Sequence, residues 1–291
     1  MNARSTIEVE SSPASGKAAP LGHDIVVRDM RFNRKGKPRR WWLGGDPVAT
    51  AWHNALSATF PRGEAFFIES VRAFRDGAPA PLAEEIRKFI QQEVNHSREH
   101  LAFNRAAVDA GYDLSRIDAH VTEMLDLAKG RPPIVNLAAT MALEHFTAIL
   151  AHLLLTNPQI LKGAEPEVAA MWRWHAVEEI EHKAVAFDTF LNATKGWPRR
   201  RRWLLKSISM LSITRRFVSH RIDDTVDLLA QDGITGWKAR LRVWWYVFGA
   251  PGYLRRVFPA WLAYFLPGFH PWKHDDRHLI PAAEAELGAF A

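Results

Sequence analysis

The stretch His175-Ala176-Val177-Glu178-Glu179-Ile180-Glu181-His182 decides the fold that the sequence predicts. On an α-helix, residues three and four positions apart share a face, so His175, Glu179 and His182 project together. Apolar residues surround them, among them Met171, Trp172, Ile180, Val185 and Phe187. Burying such a face is costly unless a bound cation compensates the carboxylate. The stretch therefore predicts a metal-binding helix within a helical core.

Three further segments extend this pattern along the chain. Glu93-Val94-Asn95-His96, with His100 one turn later, forms a second Glu-x-x-His helix. Single carboxylates stand in apolar surroundings at Glu64, after Phe60-Pro61-Arg62-Gly63, and at Glu144, between Leu143 and His145-Phe146. The order Glu, Glu-x-x-His, Glu, Glu-x-x-His is the ligand plan of ferritin-like dimetal carboxylate bundles. The 51 residues from Glu93 to Glu144 leave room for the crossover connection of such a bundle.

The remaining chain favours an all-α class. Glycine and proline lie between periodic segments, and no stretch alternates apolar and polar residues over a strand length. We expect helices near residues 46–58, 64–76, 80–110, 115–128, 134–155, 165–194, 200–220, 236–247 and 252–265. The prediction is an all-α, ferritin-like four-helix bundle that carries a dimetal carboxylate site, with extra C-terminal helices.

Composition and charge restrict the chemistry and divide the chain. The 291 residues include 13 His and no Cys, which excludes disulfides, thiolate nucleophiles and Cys-ligated metals. The net charge is +6 over residues 28–40, −7 over 41–194 and +10 over 195–258. We predict a disordered, basic-ended N-terminal tail over 1–40, the metal-binding bundle over 41–195, and a basic, Trp-rich helical extension over 196–291 that packs on the bundle.

The predicted ligand set has seven members: Glu64, Glu93, His96, Glu144, His175, Glu179 and His182. Glu64, Glu93 and His96 are assigned mainly to one metal, and Glu144, Glu179 and His182 to the other, with His175 as an additional ligand. His100 and His145 are candidates for hydrogen bonding to these ligands rather than for binding the metal. Glu178 and Glu181 lie off the ligand face and are interpreted as solvated charges. No catalytic residue is predicted beyond the ligands.

At these residues, from about Trp41 to Asp276, the chain resembles a bacterial family labelled predicted metal-dependent hydrolases. The motifs are Asn54-Ala55-Leu56-Ser57 with Phe60-Pro61-x-Gly63-Glu64, Glu93-x-x-His96, Glu144-His145, His175-x-x-x-Glu179-x-x-His182, and Pro267-Gly268-Phe269-His270-Pro271-Trp272 with Asp275-Asp276. The ligand set is also similar to that of diiron N-oxygenases acting on aryl amines, which place an extra histidine where His175 stands. No wider match to those enzymes is present, so their substrate class does not carry over.

Mixed carboxylate and imidazole ligands suit two ions of iron, manganese or zinc. Because a dry bundle interior protects a reactive oxidant, iron and O2 activation for oxidation of a hydrophobic small molecule is our first hypothesis, with an electron donor as a further partner. The alternative is a dinuclear metal-dependent hydrolase, in which the metals lower the pKa of a bound water to ~7. The third is a ferritin-like protein that binds metal without turnover.

The basic section 196–258 mixes Arg and Lys with Trp, Phe and Leu. Its apolar side is interpreted first as packing on the bundle, and second as peripheral membrane contact, which cationic helices with boundary Trp residues favour. No nucleic-acid motif occurs, so nucleic acid is not expected as a partner. The N-terminal residues lack the apolar run of a signal peptide, and we therefore expect a cytoplasmic protein with possible membrane association.

Overall fold

The computed structural model describes residues 24–32, 39–288 and 290, and every regular element among them is helical. The α-helices are α1 (Pro47–Arg72), α2 (Ala80–Asp109), α3 (Ser115–Ala128), α4 (Pro133–Thr156), α5 (Pro166–His182), α6 (Val185–Ala193), α7 (Arg199–Gln231), α8 (Gly236–Trp244), α9 (Tyr253–Ala263) and α10 (Ile280–Leu287). A π-helical turn covers Trp245–Gly249, and 3-10 turns cover Pro271–Lys273 and Arg277–Leu279. The all-α prediction is confirmed for the described residues.

Two helical hairpins position the site. Helix α1 packs along α2, α4 packs along α5, and contacts between α1 and α4 join the two pairs. Helix α7 lies over α1 and α4, while α3 lies against α1 and α7. Large buried side chains such as Trp52, Phe89, Met141 and Trp174 fill the space between the helices. Helix α7 is therefore packed on α1 and α4.

Local signals explain most helix starts. The Asp46 carboxylate accepts the backbone N–H groups of Val48 and Ala49 and caps α1. Proline stands at or just before the first residue of α2, α4, α5 and α7, where its missing N–H has no helical partner to lose.

The helices differ from prediction in several places, among them α7, which continues to Gln231 rather than ending at 220, and α10, which was not predicted. Helix α1 continues through Pro61, although the sequence predicted separate helices over 46–58 and 64–76. An interior proline costs roughly 3 kcal/mol, and burial of Ala55 before it and Val71 after it, both fully inaccessible, offsets that cost. The predicted helix over 165–194 instead breaks after His182. No glycine or proline marks this break, where the buried Lys183 ammonium binds Asp276 and the His274 carbonyl.

Part of the predicted N-terminal tail is ordered. Residues 24–32 pack on the core, with Ile25 and Phe32 buried. The backbone N–H of Phe32 donates to Glu99, and the Arg28 guanidinium donates to Glu181. The prediction of a tail up to residue 40 is therefore wrong for 24–32, because buried apolar and ionic anchors fix this segment. Its assignments to 1–23 and 33–38 fall outside the described residues.

Among the described residues, α4 alone is long and apolar enough to cross a membrane by length and composition. Of its most apolar window, 61% is buried against other parts of the protein. A core helix of a bundle has the same properties, so this is weak evidence for a membrane span.

Candidate metal centre

All seven side chains predicted as ligands lie in one cluster at the centre of the helices. Helix α1 provides Glu64, α2 provides Glu93 and His96, α4 provides Glu144, and α5 provides His175, Glu179 and His182. Each of the seven is at most 4% exposed. Their potential ligand atoms form overlapping groups within 4.8 Å, including Glu64–Glu93–His96 and Glu93–Glu144–His182. Four helices distant in sequence thus bring carboxylate and imidazole groups to one point.

The two Glu-x-x-His motifs face each other across the cluster. Glu93 Oε2 is 3.9 Å from His96 Nδ1, and Glu93 Oε1 is 3.2 Å from His182 Nε2. Glu179 does the same, with Oε1 3.7 Å from His96 Nδ1 and Oε2 3.5 Å from His182 Nε2. Each of these carboxylates therefore directs one oxygen towards each imidazole. Glu144 adds an oxygen 3.4 Å from His182 Nε2.

Hydrogen bonds on the outer side fix the ring nitrogen that each of two imidazoles turns inward. Gln92 Nε2 donates to Glu181, so Gln92 Oε1 accepts the Nδ1–H of His182 at 2.9 Å. His96 donates its Nε2–H to Glu178 at 3.0 Å. The inward nitrogens, Nε2 of His182 and Nδ1 of His96, are then left with lone pairs. Outer partners of this kind orient metal-binding histidines in proteins.

A longer chain of hydrogen bonds acts on His175. Asn104 Nδ2 donates to the Ser57 carbonyl, and this bond orients the Asn104 amide. Its Oδ1 then accepts the hydrogen bond of the Ser57 hydroxyl. The Ser57 oxygen can then accept Nδ1–H of His100 at 2.8 Å, and His100 Nε2 accepts Nδ1–H of His175 at 2.6 Å. His175 Nε2 is left with a lone pair 2.8 Å from Glu179 Oε1, an arrangement that requires a cation or proton between them.

Burial and mutual repulsion shift the titration of the cluster. Burial, together with neighbouring carboxylates, raises the pKa of Glu64 and Glu93 well above the usual range, and burial raises that of Glu144 to about 7. Burial lowers the pKa of His96 to about 3 and of His175 to about 4. Burial alone would raise the pKa of Glu179 and lower that of His182, but their mutual attraction reverses both shifts. This protein environment disfavours several carboxylate charges in one dry site.

The cluster leaves many buried polar atoms without hydrogen bonds. The atoms are Glu64 Oε1, both oxygens of Glu93, both oxygens of Glu144, Glu179 Oε2, His96 Nδ1 and His182 Nε2. Such atoms are rare in folded proteins because each costs about 1–3 kcal/mol. All are oxygen or nitrogen donors that point into one site, which is what divalent Fe, Mn or Zn would require. The residues present therefore fit a bound metal.

An apolar pocket with a cavity volume of about 240 Å³ reaches the cluster. Glu64, His175 and Glu179 line it at the cluster, and the surrounding wall is mainly aliphatic and aromatic. Phe66, Phe67 and Phe146 line this wall, whereas Trp174 packs against the His96 ring.

Two histidines and two glutamates were predicted to lie outside the ligand set, and the structure places them as follows. His100 lies beside the cluster and bonds His175, whereas His145 faces away and lies 3.1 Å from the Ala260 carbonyl. The interpretation of Glu178 and Glu181 as solvated charges is wrong, since they are 0% and 3% exposed. Glu178 accepts from His96, Glu181 accepts from Gln92, and both carboxylates pair with Arg28. Helix α5 is buried on every side, so its off-face carboxylates are also enclosed.

The sequence analysis missed the residues that hold the imidazoles from outside, namely Arg28, Ser57, Gln92 and Asn104. Apolar residues occur around the whole circumference of α5, which was a signal for complete burial of Glu178 and Glu181. Arg28 gave no such signal, because only the packing of residues 24–32 brings it to α5.

Comparison with known proteins identifies the family. A family model described as "Predicted metal-dependent hydrolase" matches residues 26–275, and the chain belongs to that family. No curated protein and no solved structure gave a match. The family and the possible ligand groups together indicate a metal-dependent enzyme. They agree with the hydrolase alternative and do not support the preference for iron and O2.

Proposed function

We propose that this member of the predicted metal-dependent hydrolases is a dinuclear enzyme that hydrolyses an ester or amide with a hydrophobic body. The observation that carries the proposal is the convergence of carboxylate and imidazole atoms, buried and without hydrogen bonds, at the end of an apolar pocket. Two ions held there would supply an activated water and polarise the scissile carbonyl.

The distances support specific roles for the ligands. Glu93 and Glu179 would each help to hold both ions, because each directs one oxygen to His96 and one to His182. Glu64 and Glu144 complete the coordination from α1 and α4, and His175 is the additional imidazole beside Glu179. With ligands from α1, α2, α4 and α5, we propose a ferritin-like four-helix arrangement around the pair. Glu93 would thereby contribute to both ions, whereas the sequence assigns it mainly to one.

The protein's own residues orient the imidazoles, exclude water and bind the substrate. Glu178 and Gln92 hold His96 and His182 as neutral ligands, and His100 does so for His175. The Ser97 hydroxyl donates to Glu64 Oε2 at 2.6 Å and leaves Oε1 free for a metal. The apolar wall of the pocket favours an aliphatic or aromatic substrate body and excludes competing water.

Oxidation with O2 is the second candidate, favoured by the depth of the site. Every proposed ligand is at most 4% exposed, and three imidazoles surround Glu179. A closed apolar site suits an oxidant that must not react with solvent. This reaction would use iron and an electron donor.

One experiment tests both reactions. The purified chain is stripped with chelator and reloaded separately with Zn(II), Mn(II) and, without air, Fe(II). Metal content is measured, hydrolysis of long-chain p-nitrophenyl esters is followed for each form, and the iron form is then exposed to O2. We expect two metals per chain and ester hydrolysis with Zn(II) or Mn(II). An oxygen-dependent chromophore without hydrolysis would favour the second candidate.

Variants identify the site. Glu144→Ala and His182→Ala should lose metal and activity while helical content by circular dichroism persists. Glu69→Ala is the matched control, since Glu69 lies on α1 with its side chain 74% exposed. Unchanged metal content in both site variants would refute the proposed centre.

A further inference from the structure

The surface of α7 and α9 carries an unusual amount of exposed apolar area. Of the 17 large apolar side chains that are exposed in the described part of the chain, 11 lie between Trp203 and Leu266. This region is less than a quarter of the sequence. Contiguous exposed apolar patches of this kind mark interaction sites in most proteins.

The exposed side chains form stripes along the helices. On α7, Leu204, Ile208 and Leu211 recur every three to four residues and are 39%, 61% and 54% exposed. On α9 and just beyond it, Phe258, Leu262 and Leu266 recur every four residues and are 53%, 51% and 59% exposed. The opposite faces are buried, for example at Met210 and Val257. The apolar residues of this region therefore both pack on the bundle and face outward.

The two stripes belong to adjacent helices. Trp203 Nε1 donates to the Phe265 carbonyl at 2.8 Å, and Trp261 Nε1 donates to Thr214 at 2.9 Å. Helix α8 carries a further exposed stripe, formed by Trp237, Leu241 and Trp244.

Outside residues 221–232, which hold four Asp, the charge of this region has one sign. Residues 197–220 and 233–274 contain no Asp or Glu, but they hold Arg199–Arg202, Lys206, Arg215, Arg216, Lys238, Arg240, Arg242, Arg255, Arg256 and Lys273. Within the described residues, only Arg240 among these forms an ion pair with a carboxylate, that of Asp223. Exposed apolar stripes therefore lie in a region where these cations, Arg240 excepted, pair with no carboxylate in the described part of the chain.

We propose that the α7–α9 surface, defined by Leu204, Ile208, Leu211, Phe258, Leu262 and Leu266, docks on an anionic phospholipid bilayer. Lipid tails would accept the leucine, isoleucine and phenylalanine side chains, and anionic headgroups would pair with the arginines. Tryptophans at the edge of such a patch, here Trp203 at 41% exposure, suit the interface between headgroup and tail. A second copy of the chain is disfavoured as the occupant, because it would bring arginines against arginines.

The same helix forms part of the pocket wall. Ser212, Ile213 and Arg216 of α7 line it, directly after the exposed Leu211. Docking would place this wall of the pocket near the bilayer, from which a hydrophobic substrate can enter. Membrane docking does not depend on the reaction proposed above, so it is tested without activity.

Flotation of the full chain with vesicles tests the inference. We expect binding to phosphatidylcholine vesicles that contain phosphatidylglycerol, weaker binding to phosphatidylcholine alone, and a blue shift of tryptophan emission on binding. Leu262→Glu and Ile208→Glu should each lower the vesicle affinity about tenfold. Val108→Glu on α2 should not, although Val108 is as exposed as Leu262, at 51%.

The outcomes are decisive in both directions. Circular dichroism checks that each variant is folded, and Leu262→Ser replaces Leu262→Glu if that variant is not. Failure of the wild-type chain to float with either vesicle would overturn the inference. Equal vesicle affinity of Leu262→Glu and Val108→Glu would also overturn the inference, because the loss would then reflect the added negative charge and not the apolar stripe. A dimer in sedimentation that Leu262→Glu dissociates, without vesicle binding, would assign the surface to self-association.

Discussion

The centre of the bundle and the α7–α9 surface depart from the usual distribution of side chains in opposite directions. The centre buries four carboxylates and three imidazoles among apolar helices, whereas the surface exposes leucine, isoleucine and phenylalanine to solvent. Each departure costs free energy in the isolated chain, and each is relieved by a partner of matching chemistry. A divalent cation fits the first and an apolar, anionic surface fits the second.

The two regions also differ in what holds them. Hydrogen bonds from outside fix each imidazole of the centre, through Glu178, Gln92 and His100. The stripes of α7 and α9 project outward, and the helices that carry them pack through buried apolar side chains such as Met210 and Val257. We therefore expect the centre to be sensitive to single polar substitutions and the surface to tolerate them structurally.

The largest effect is expected for Glu93→Gln, which removes a buried carboxylate from the candidate metal centre. The Gln amide carries no negative charge that two cations could share. The metal content should therefore fall from two to at most one per chain. Because burial and the neighbouring carboxylates raise the pKa of Glu93 and disfavour its charge, the metal-free variant should be at least as stable as the wild type. Metal analysis and denaturant unfolding in chelator measure the two effects.

Glu69→Gln on the exposed side of α1 is the control for this substitution and should change neither quantity. If Glu93 served only a structural network, its replacement would instead lower metal-free stability, by roughly 1–3 kcal/mol. That result would argue against a metal centre.

A smaller effect is expected for Arg28→Ala, which tests how much the outer hydrogen bonds contribute to metal binding. Arg28 lies 2.7 Å from Glu181 and 3.5 Å from Glu178, and these carboxylates hold Gln92 and His96. Loss of their shared cation should weaken metal binding by about 10–100-fold, as removal of an outer partner does elsewhere. Competition between the protein and a chelator for Zn(II) measures the affinity.

Arg31→Ala is the matched control, because Arg31 lies in the same segment with its side chain 71% exposed. We expect it to bind metal like the wild type. Equal loss in both variants would mean that the segment acts by packing alone.

The smallest effect concerns Lys206 on α7, a buried cation outside the centre. Its ammonium donates to the Tyr264 carbonyl, and burial lowers its pKa to about 8. The unfolded chain then binds more protons between about pH 8 and the normal lysine range near 10.5, so wild-type stability rises with pH there. Lys206→Met should raise the melting temperature at neutral pH, with a gain that shrinks above about pH 8.

Melting curves across this pH range measure the effect, with the exposed Lys238→Met as control. A gain that is independent of pH would show that burial of the charge is not its cause.

Local sequence was enough to predict much of this molecule. Periodicity placed α3 and α4 within a residue of their observed bounds, because turn residues flank uninterrupted apolar patterns there. The spacing of Glu93 with His96, and of His175 with Glu179 and His182, named side chains that the structure brings together. Their role as ligands stays a prediction until metal is measured.

Other features depended on contacts between distant segments. The continuity of α1 through Pro61 reflects burial on both sides of the proline, and the break after His182 has no local mark. Glu178 and Glu181 were misread because the helical face that carries them is covered by residues 24–32, some 150 positions away in the chain.

The sequence by itself determined the helical class and the types and order of the candidate ligands, since helical spacing fixes which side chains share a face. Only the tertiary structure decided which carboxylates lie between the imidazoles, which groups hold them from outside, and which apolar residues of α7 and α9 remain exposed. These properties depend on which helix lies against which, and the free energy of that packing is summed over the whole fold.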